Sequence, residues 1–138
     1  MNRPPLEIRS HHRLRLRIAA AVAAIVWAGV IFRFSALPAS DVPGRFGSLA
    51  HFVEYLLLAL LARIAADDES DLRGSAIFAV ALASAYAVTD ELHQGFVPGR
   101  VPDVMDWIVD SAGALTGAAL ASLALNRARR SGTRPANQ

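Results

Sequence analysis

Four apolar runs, separated by short polar links, organise the chain. The first lies between Arg17 and Arg33 and can extend to Leu37; the others cover residues 46–66, 72–92 and 104–125. A helix that crosses a bilayer needs about 20 predominantly apolar residues, with a range of about 17–25. Each run reaches that length once a few polar residues near an end are included. Residues 18–32 are apolar all the way round and lack the polar stripe of a soluble amphipathic helix. Pro38 and Pro43-Gly44 break the chain after the first run, and Asp67-Asp68-Glu69-Ser70-Asp71 forms a polar turn after the second. Pro98-Gly99 and Pro102 break it after the third. The pattern predicts an all-α fold, a four-helix transmembrane bundle. A soluble helical bundle is the competing reading, and it requires the amphipathic period that the first run does not have.

Composition supports the membrane reading, because 54% of residues are hydrophobic and the charges gather at the chain ends and in the links. There is no cysteine, which excludes disulfides and thiolate metal sites. Every basic side chain other than histidine is arginine, which together with the many alanines points to a GC-rich bacterial genome. The pI of 9.9 would also suit a nucleic-acid binder. The arginines, however, flank the apolar runs, at Arg3, Arg9, Arg13, Arg15 and Arg17 and again at Arg127, Arg129, Arg130 and Arg134. That distribution is the one that sets membrane orientation. Both tails are basic, so both termini are expected in the cytoplasm, and four spans satisfy the even number this requires. The 67–71 link then faces the cytoplasm, and the 38–45 and 93–103 links face outward. The expected organisation is a basic cytoplasmic tail (1–16), a membrane domain (17–126) and a basic tail without predicted order (127–138). The first run also has the layout of a signal peptide, although its candidate cleavage site Leu37-Pro38-Ala39 lacks a small residue at the first position.

The polar residues inside the runs carry the chemistry, since ionisable groups in lipid are costly and mark functional sites by default. With this topology the second span begins outside, placing His51, Glu54 and Tyr55 near its outer end. The third ends outside, bringing Tyr86, Asp90, Glu91, His93 and Gln94 to the same depth. The fourth begins outside with Asp103, Asp106 and Asp110. On that span Asp103, Asp106, Asp110, Gly113 and Gly117 share an arc of about 80° at 3.6 residues per turn, so the aspartates are expected to face the bundle interior. Gly113 and Gly117 form a GxxxG pattern that lets helices approach closely, within the chain by preference. Asp103 also fits as a helix cap. Arg100 is either an interface anchor or a counter-charge and holder of phosphate or carboxylate, aimed by the Pro98-Gly99 turn. Glu54, Asp90, Glu91, Asp106 and Asp110 form a carboxylate cluster that cannot be fully ionised without partners. Raised pKa values or a divalent cation would relieve it, but no ligand spacing specifies a metal, and no cofactor is assigned.

These residues match a known pattern. Phe34-Ser35-Ala36-Leu37-Pro38, then His51-Phe52-x-x-Tyr55, then Asp90-Glu91-Leu92-His93-Gln94-x-Phe96-Val97-Pro98-Gly99-Arg100, then Asp106, Asp110 and Gly113 resemble the VanZ-like family of small bacterial membrane proteins. The resemblance covers about residues 34–125. It implies a multi-pass protein of the bacterial inner membrane acting near the cell envelope, in a family named for a protein linked to low-level teicoplanin resistance. It implies no settled reaction. Two departures make this chain more acidic than typical members: Ser48 stands where members often carry a basic residue, and Asp110 where many have asparagine.

Two functions follow as expectations. In the first, an outward pocket of His51, Glu54, Tyr55, Asp90, Glu91, His93, Gln94, Arg100, Asp106 and Asp110 binds the head group of an envelope lipid or lipid-linked cell-wall precursor. In the second, the protein is an enzyme acting on such a substrate, with Glu54, Glu91, His51 and His93 as acid–base candidates. A proton or ion pathway is weaker, because the inner halves of the spans read as apolar. Nucleic-acid binding has no support beyond charge.

Overall fold

The computed structural model describes residues 6–38, 40 and 47–133. Four α-helices follow one another: α1 (Leu6–Ser35), α2 (Gly47–Ala65), α3 (Leu72–Gln94) and α4 (Val104–Thr133), with no strand among the described residues. All four contain a segment long and apolar enough to cross a membrane: Ser10–Ser35, Gly47–Ala65, Leu72–Gln94 and Val104–Ser131. The chain is thus an all-helical, multi-pass membrane protein. The expected break at Pro43-Gly44, the start of the second run at Phe46, and the outlying Arg3 and Arg134 fall outside the described residues.

The helices outrun the apolar runs at two ends. α1 begins at Leu6, well before Arg17, and α4 continues to Thr133, past Leu125. A hydropathy limit marks where a helix leaves lipid, whereas arginine, alanine and leucine favour helix on either side of that limit.

α2 lies at the centre, packed against each of the other three helices and most extensively against α4. Small residues permit this closeness. A Cβ on Gly113 would collide with the backbone of Phe52 and Leu56, and one on Gly117 with the backbone of Leu56. The GxxxG face therefore packs within the chain. Tyr55 is fully buried among Ala59, Ala83, Ala87 and Ala114, a core built mainly of alanine. Large apolar side chains such as Ile25, Ile77 and Leu123 point outward and are exposed. That inversion suits a lipid surround, where close packing rather than hydrophobic burial joins helices.

The helix ends are locally encoded. Asp71 caps α3 by accepting from Gly74 N at 2.7 Å. Asp103 caps α4, its Oδ1 accepting from Met105 N at 2.8 Å and its carbonyl accepting from Asp106 N at 3.1 Å. Arg100 N donates to Val97 O at 3.1 Å across Pro98-Gly99, and Gly99 has φ of 77°. Proline followed by a glycine of positive φ is the signature of a type II turn. That turn brings Arg100 back over the end of α3.

Candidate functional site

The start of α2, the end of α3 and the start of α4 meet at one end of the bundle. α2 supplies His51, one turn above the buried Tyr55. α4 supplies Asp106 and Asp110, one turn apart on the face that its glycines press against α2. His51 stands between them: its Nδ1 is 3.1 Å from Asp110 Oδ1, and its Nε2 is 3.8 Å from Asp106 Oδ2. His51 is 8% exposed and Asp110 is 0% exposed, so this pair is sealed from solvent.

α3 supplies a second layer. Gln94, 2% exposed, donates from Nε2 to Asp90 Oδ2 at 3.2 Å and to Glu91 Oε1 at 3.3 Å. Its carbonyl oxygen accepts from Arg100 Nε at 3.0 Å and Nη2 at 2.5 Å. Glu91 Oε2 accepts from Asp103 N at 2.7 Å. Gln94 thus serves as a relay: the guanidinium grips its carbonyl, and its amide holds two buried acids. Arg100 itself forms no ion pair among the described residues.

The two layers are electrostatically one site. Glu54 interacts with His51, Asp90, Asp110 and Arg100, and Glu91 with Asp106, His51 and Asp110. Tyr55 lies within the same field. Several buried polar atoms here have no hydrogen-bond partner among the described residues: Tyr55 Oη, Asp90 Oδ1 and Asp110 Oδ2. Unpaired buried polar atoms are rare and each calls for a cause.

His93 is turned away. Its ring stacks on Phe32 of α1, with centroids 4.4 Å apart, and its Nε2 has no partner among the described residues. At 100° per residue His93 and Glu91 point about 160° apart on α3. Tyr86 also faces α1, its hydroxyl donating to Ala28 O at 2.8 Å. Trp27 Nε1 donates to the backbone carbonyl of Glu54 at 2.9 Å.

The opposite end of the bundle holds a polar network that the sequence reading passed over. Arg63 is fully buried in α2. Its Nη1 donates to Asp67 Oδ1 at 2.8 Å and its Nε to Ser122 Oγ at 3.0 Å. Arg129 of α4 clamps Asp67 from the other side, at 2.5 and 2.6 Å. Glu69 pairs with Arg129 at 3.2 Å and with Arg13 of α1. Burial of Asp67 disfavours its charge, but the hydrogen bonds from Arg129 and Arg63 outweigh that and hold its carboxyl below the usual range. The 67–71 link is thus a clasp joining three helices rather than a free polar turn. An arginine ending an apolar run with an acid one turn later, Arg63 and Asp67, was the available signal.

Compared with known proteins, residues 8–125 match the family described as VanZ/LLP1. Curated proteins give no match, and neither do solved structures. With the match spanning all four helices, the conclusion is that the chain belongs to the VanZ/LLP1 family.

Proposed function

We propose that the polar end of α2, α3 and α4 is a pocket open to the outer leaflet of the bacterial inner membrane. It binds the head group of an envelope lipid or lipid-linked cell-wall precursor and thereby alters access by glycopeptide antibiotics. The observation that carries this reading is Arg100: a half-buried guanidinium at the mouth of a site, bonded through Nε and Nη2 to an uncharged amide and to no acid. Arginine is suited to two-point contact with phosphate or carboxylate. Orientation follows from the arginine-rich ends of α1 and α4, which favour the cytoplasmic side and leave the Arg100 end facing out. Arg100, Glu54 and Asp106 form its mouth, His51, Tyr55, Asp90, Glu91, Gln94 and Asp110 form the buried floor beneath them, and His93 stands outside it against α1.

The test is teicoplanin susceptibility of a sensitive host expressing wild type or Arg100→Ala, with the membrane level of each protein measured. A shift with wild type that disappears with the variant supports the pocket. Identical, unshifted susceptibility for both sinks it.

One observation favours a second reading. His51 bonded to buried Asp110 has the arrangement of a general base held by a carboxylate. An enzyme acting on a lipid-linked substrate would use that pair, with Glu54 and Glu91 as further acid–base groups. Conversion of a lipid-linked precursor by the purified protein, abolished by His51→Ala, is its expected signature.

A further inference from the structure

We propose that His51, Glu91 and Asp106 hold a divalent first-row metal ion such as Zn2+, with Asp110 as the positioning residue for His51. One potential ligand atom from each of the three lies within 4.8 Å of the others. They come from three helices, so the cluster is a product of the fold and not of neighbouring positions in sequence.

The direction of the imidazole supports this. In the neutral imidazole, a proton on Nδ1 points to Asp110 Oδ1, 3.1 Å away. Nε2 is then left with its lone pair and looks toward Asp106. Its 3.8 Å separation from Asp106 Oδ2 is too long for a hydrogen bond. It is close to what two ligands on one ion require, each about 2.0–2.2 Å from the metal, after a small inward movement. A histidine whose far nitrogen donates to a carboxylate is the usual arrangement around a bound metal.

Burial and hydrogen bonding at this end of the bundle add to the geometry. Asp110 is 0% exposed and Asp90 3% exposed, and each keeps one buried oxygen without a partner among the described residues. Glu91 is pre-positioned by Asp103 N and Gln94 Nε2. A divalent ion would offset the negative charge that such acids concentrate within the membrane. The side chain of Asp106 is 29% exposed and leaves a path for the ion to enter. One nitrogen and several oxygens favour an ion that accepts both, such as Zn2+ or Mn2+, over Mg2+ or Ca2+. The ion would also present positive charge to an anionic head group beside Arg100; that consequence rests on the pocket reading above, whereas the ion does not.

The experiment uses the full chain in detergent, carrying no histidine tag and with His11→Ala and His12→Ala, stripped by a chelator and dialysed against Zn2+ alone. One ion per chain is expected, and X-ray absorption should show one imidazole nitrogen among oxygen neighbours. Asp110→Asn should weaken binding by about 10–100-fold, and His51→Ala with Asp106→Asn should abolish it at unchanged helix content. No bound zinc, a spectrum without imidazole, or equal binding by the double variant overturns the proposal. The spectrum is read on unsubstituted site residues, so a variant that misfolds does not shield it. Absent zinc with an intact Arg100-dependent teicoplanin shift removes the ion and leaves the pocket. Bound zinc with unshifted susceptibility removes the pocket and leaves the ion.

Discussion

Arg63 in the last turn of α2 is joined to Asp67, just beyond the helix, by a 2.8 Å hydrogen bond. Asp67 is in turn shared with Arg129 of α4, so one carboxylate fixes the relative height of two helices. Removing one partner of a buried pair leaves the other charge uncompensated, at a cost of about 3–5 kcal/mol. Asp67→Ala is therefore expected to lower stability by about 3 kcal/mol, because Arg63 keeps only Ser122. Denaturant titration of helical content in detergent would measure it, and a change indistinguishable from that of Ser70→Ala would refute it.

The same carboxyl makes stability depend on acid. The hydrogen bonds from Arg129 and Arg63 hold its folded pKa below the ordinary carboxylate range, so the unfolded chain takes up the proton first as pH falls. The contribution is complete above about pH 5 and is lost as pH drops through the folded value. Wild type should lose stability below about pH 4, and Asp67→Asn should show a flatter profile there. Parallel profiles would count against the clasp.

Helix contact at the glycine face gives a third prediction. The Cα of Gly117 leaves no room beside the backbone of Leu56, whereas nothing lies within 4 Å of a Cβ placed on Gly29. Gly117→Val should cost about 1–3 kcal/mol through forced separation of α2 and α4, and Gly29→Val should cost much less. Thermal unfolding of the two variants side by side would decide it.

Gln94 offers a fourth. Gln94→Leu keeps the size but removes the donor to Asp90 and Glu91 and the acceptor for Arg100. Buried groups left unpaired cost about 1–3 kcal/mol. The substitution should destabilise the chain by that amount and weaken head-group binding, as read by lipid mass spectrometry of the purified protein. Retained lipid at wild-type level would show that the relay does not matter for the pocket.

Orientation can be read directly, because the chain has no native cysteine. Single cysteines at the exposed positions Ser40, Ser70 and Phe96 should separate. An impermeant thiol reagent in intact cells is expected to label positions 40 and 96 but not 70. Labelling at 70 alone would invert the bundle.

Much of this architecture was legible in the order of residues. Four apolar runs joined by short links place His51, Asp90 and Asp106 at one end, because a chain that runs up and down returns there after every second crossing. Phase around each helix was legible for α4, where Asp106, Asp110, Gly113 and Gly117 recur on one arc. It was not legible for His93, because proximity in sequence to Asp90 and Glu91 conceals that a helix turns about 100° with every residue. Arg63 escaped for a different reason: a lone arginine near the end of an apolar run looks like the edge of the span, and only packing shows that α4 covers it. The ends of α1 and α4 ran on because hydropathy registers lipid, not helix.

α1 adds a closing consequence. Its links to the polar end of the bundle are Trp27 on the carbonyl of Glu54 and Tyr86 on the carbonyl of Ala28, with Phe32 against His93, and it lends that end no acid or base. α1 is thus the helix on which the polar end of the bundle draws least. A helix in that position forms a wall along one flank: the outward Ile25 and Val26 can give way to any other greasy side chain, whereas Trp27, Ile31 and Arg13 cannot without loosening it.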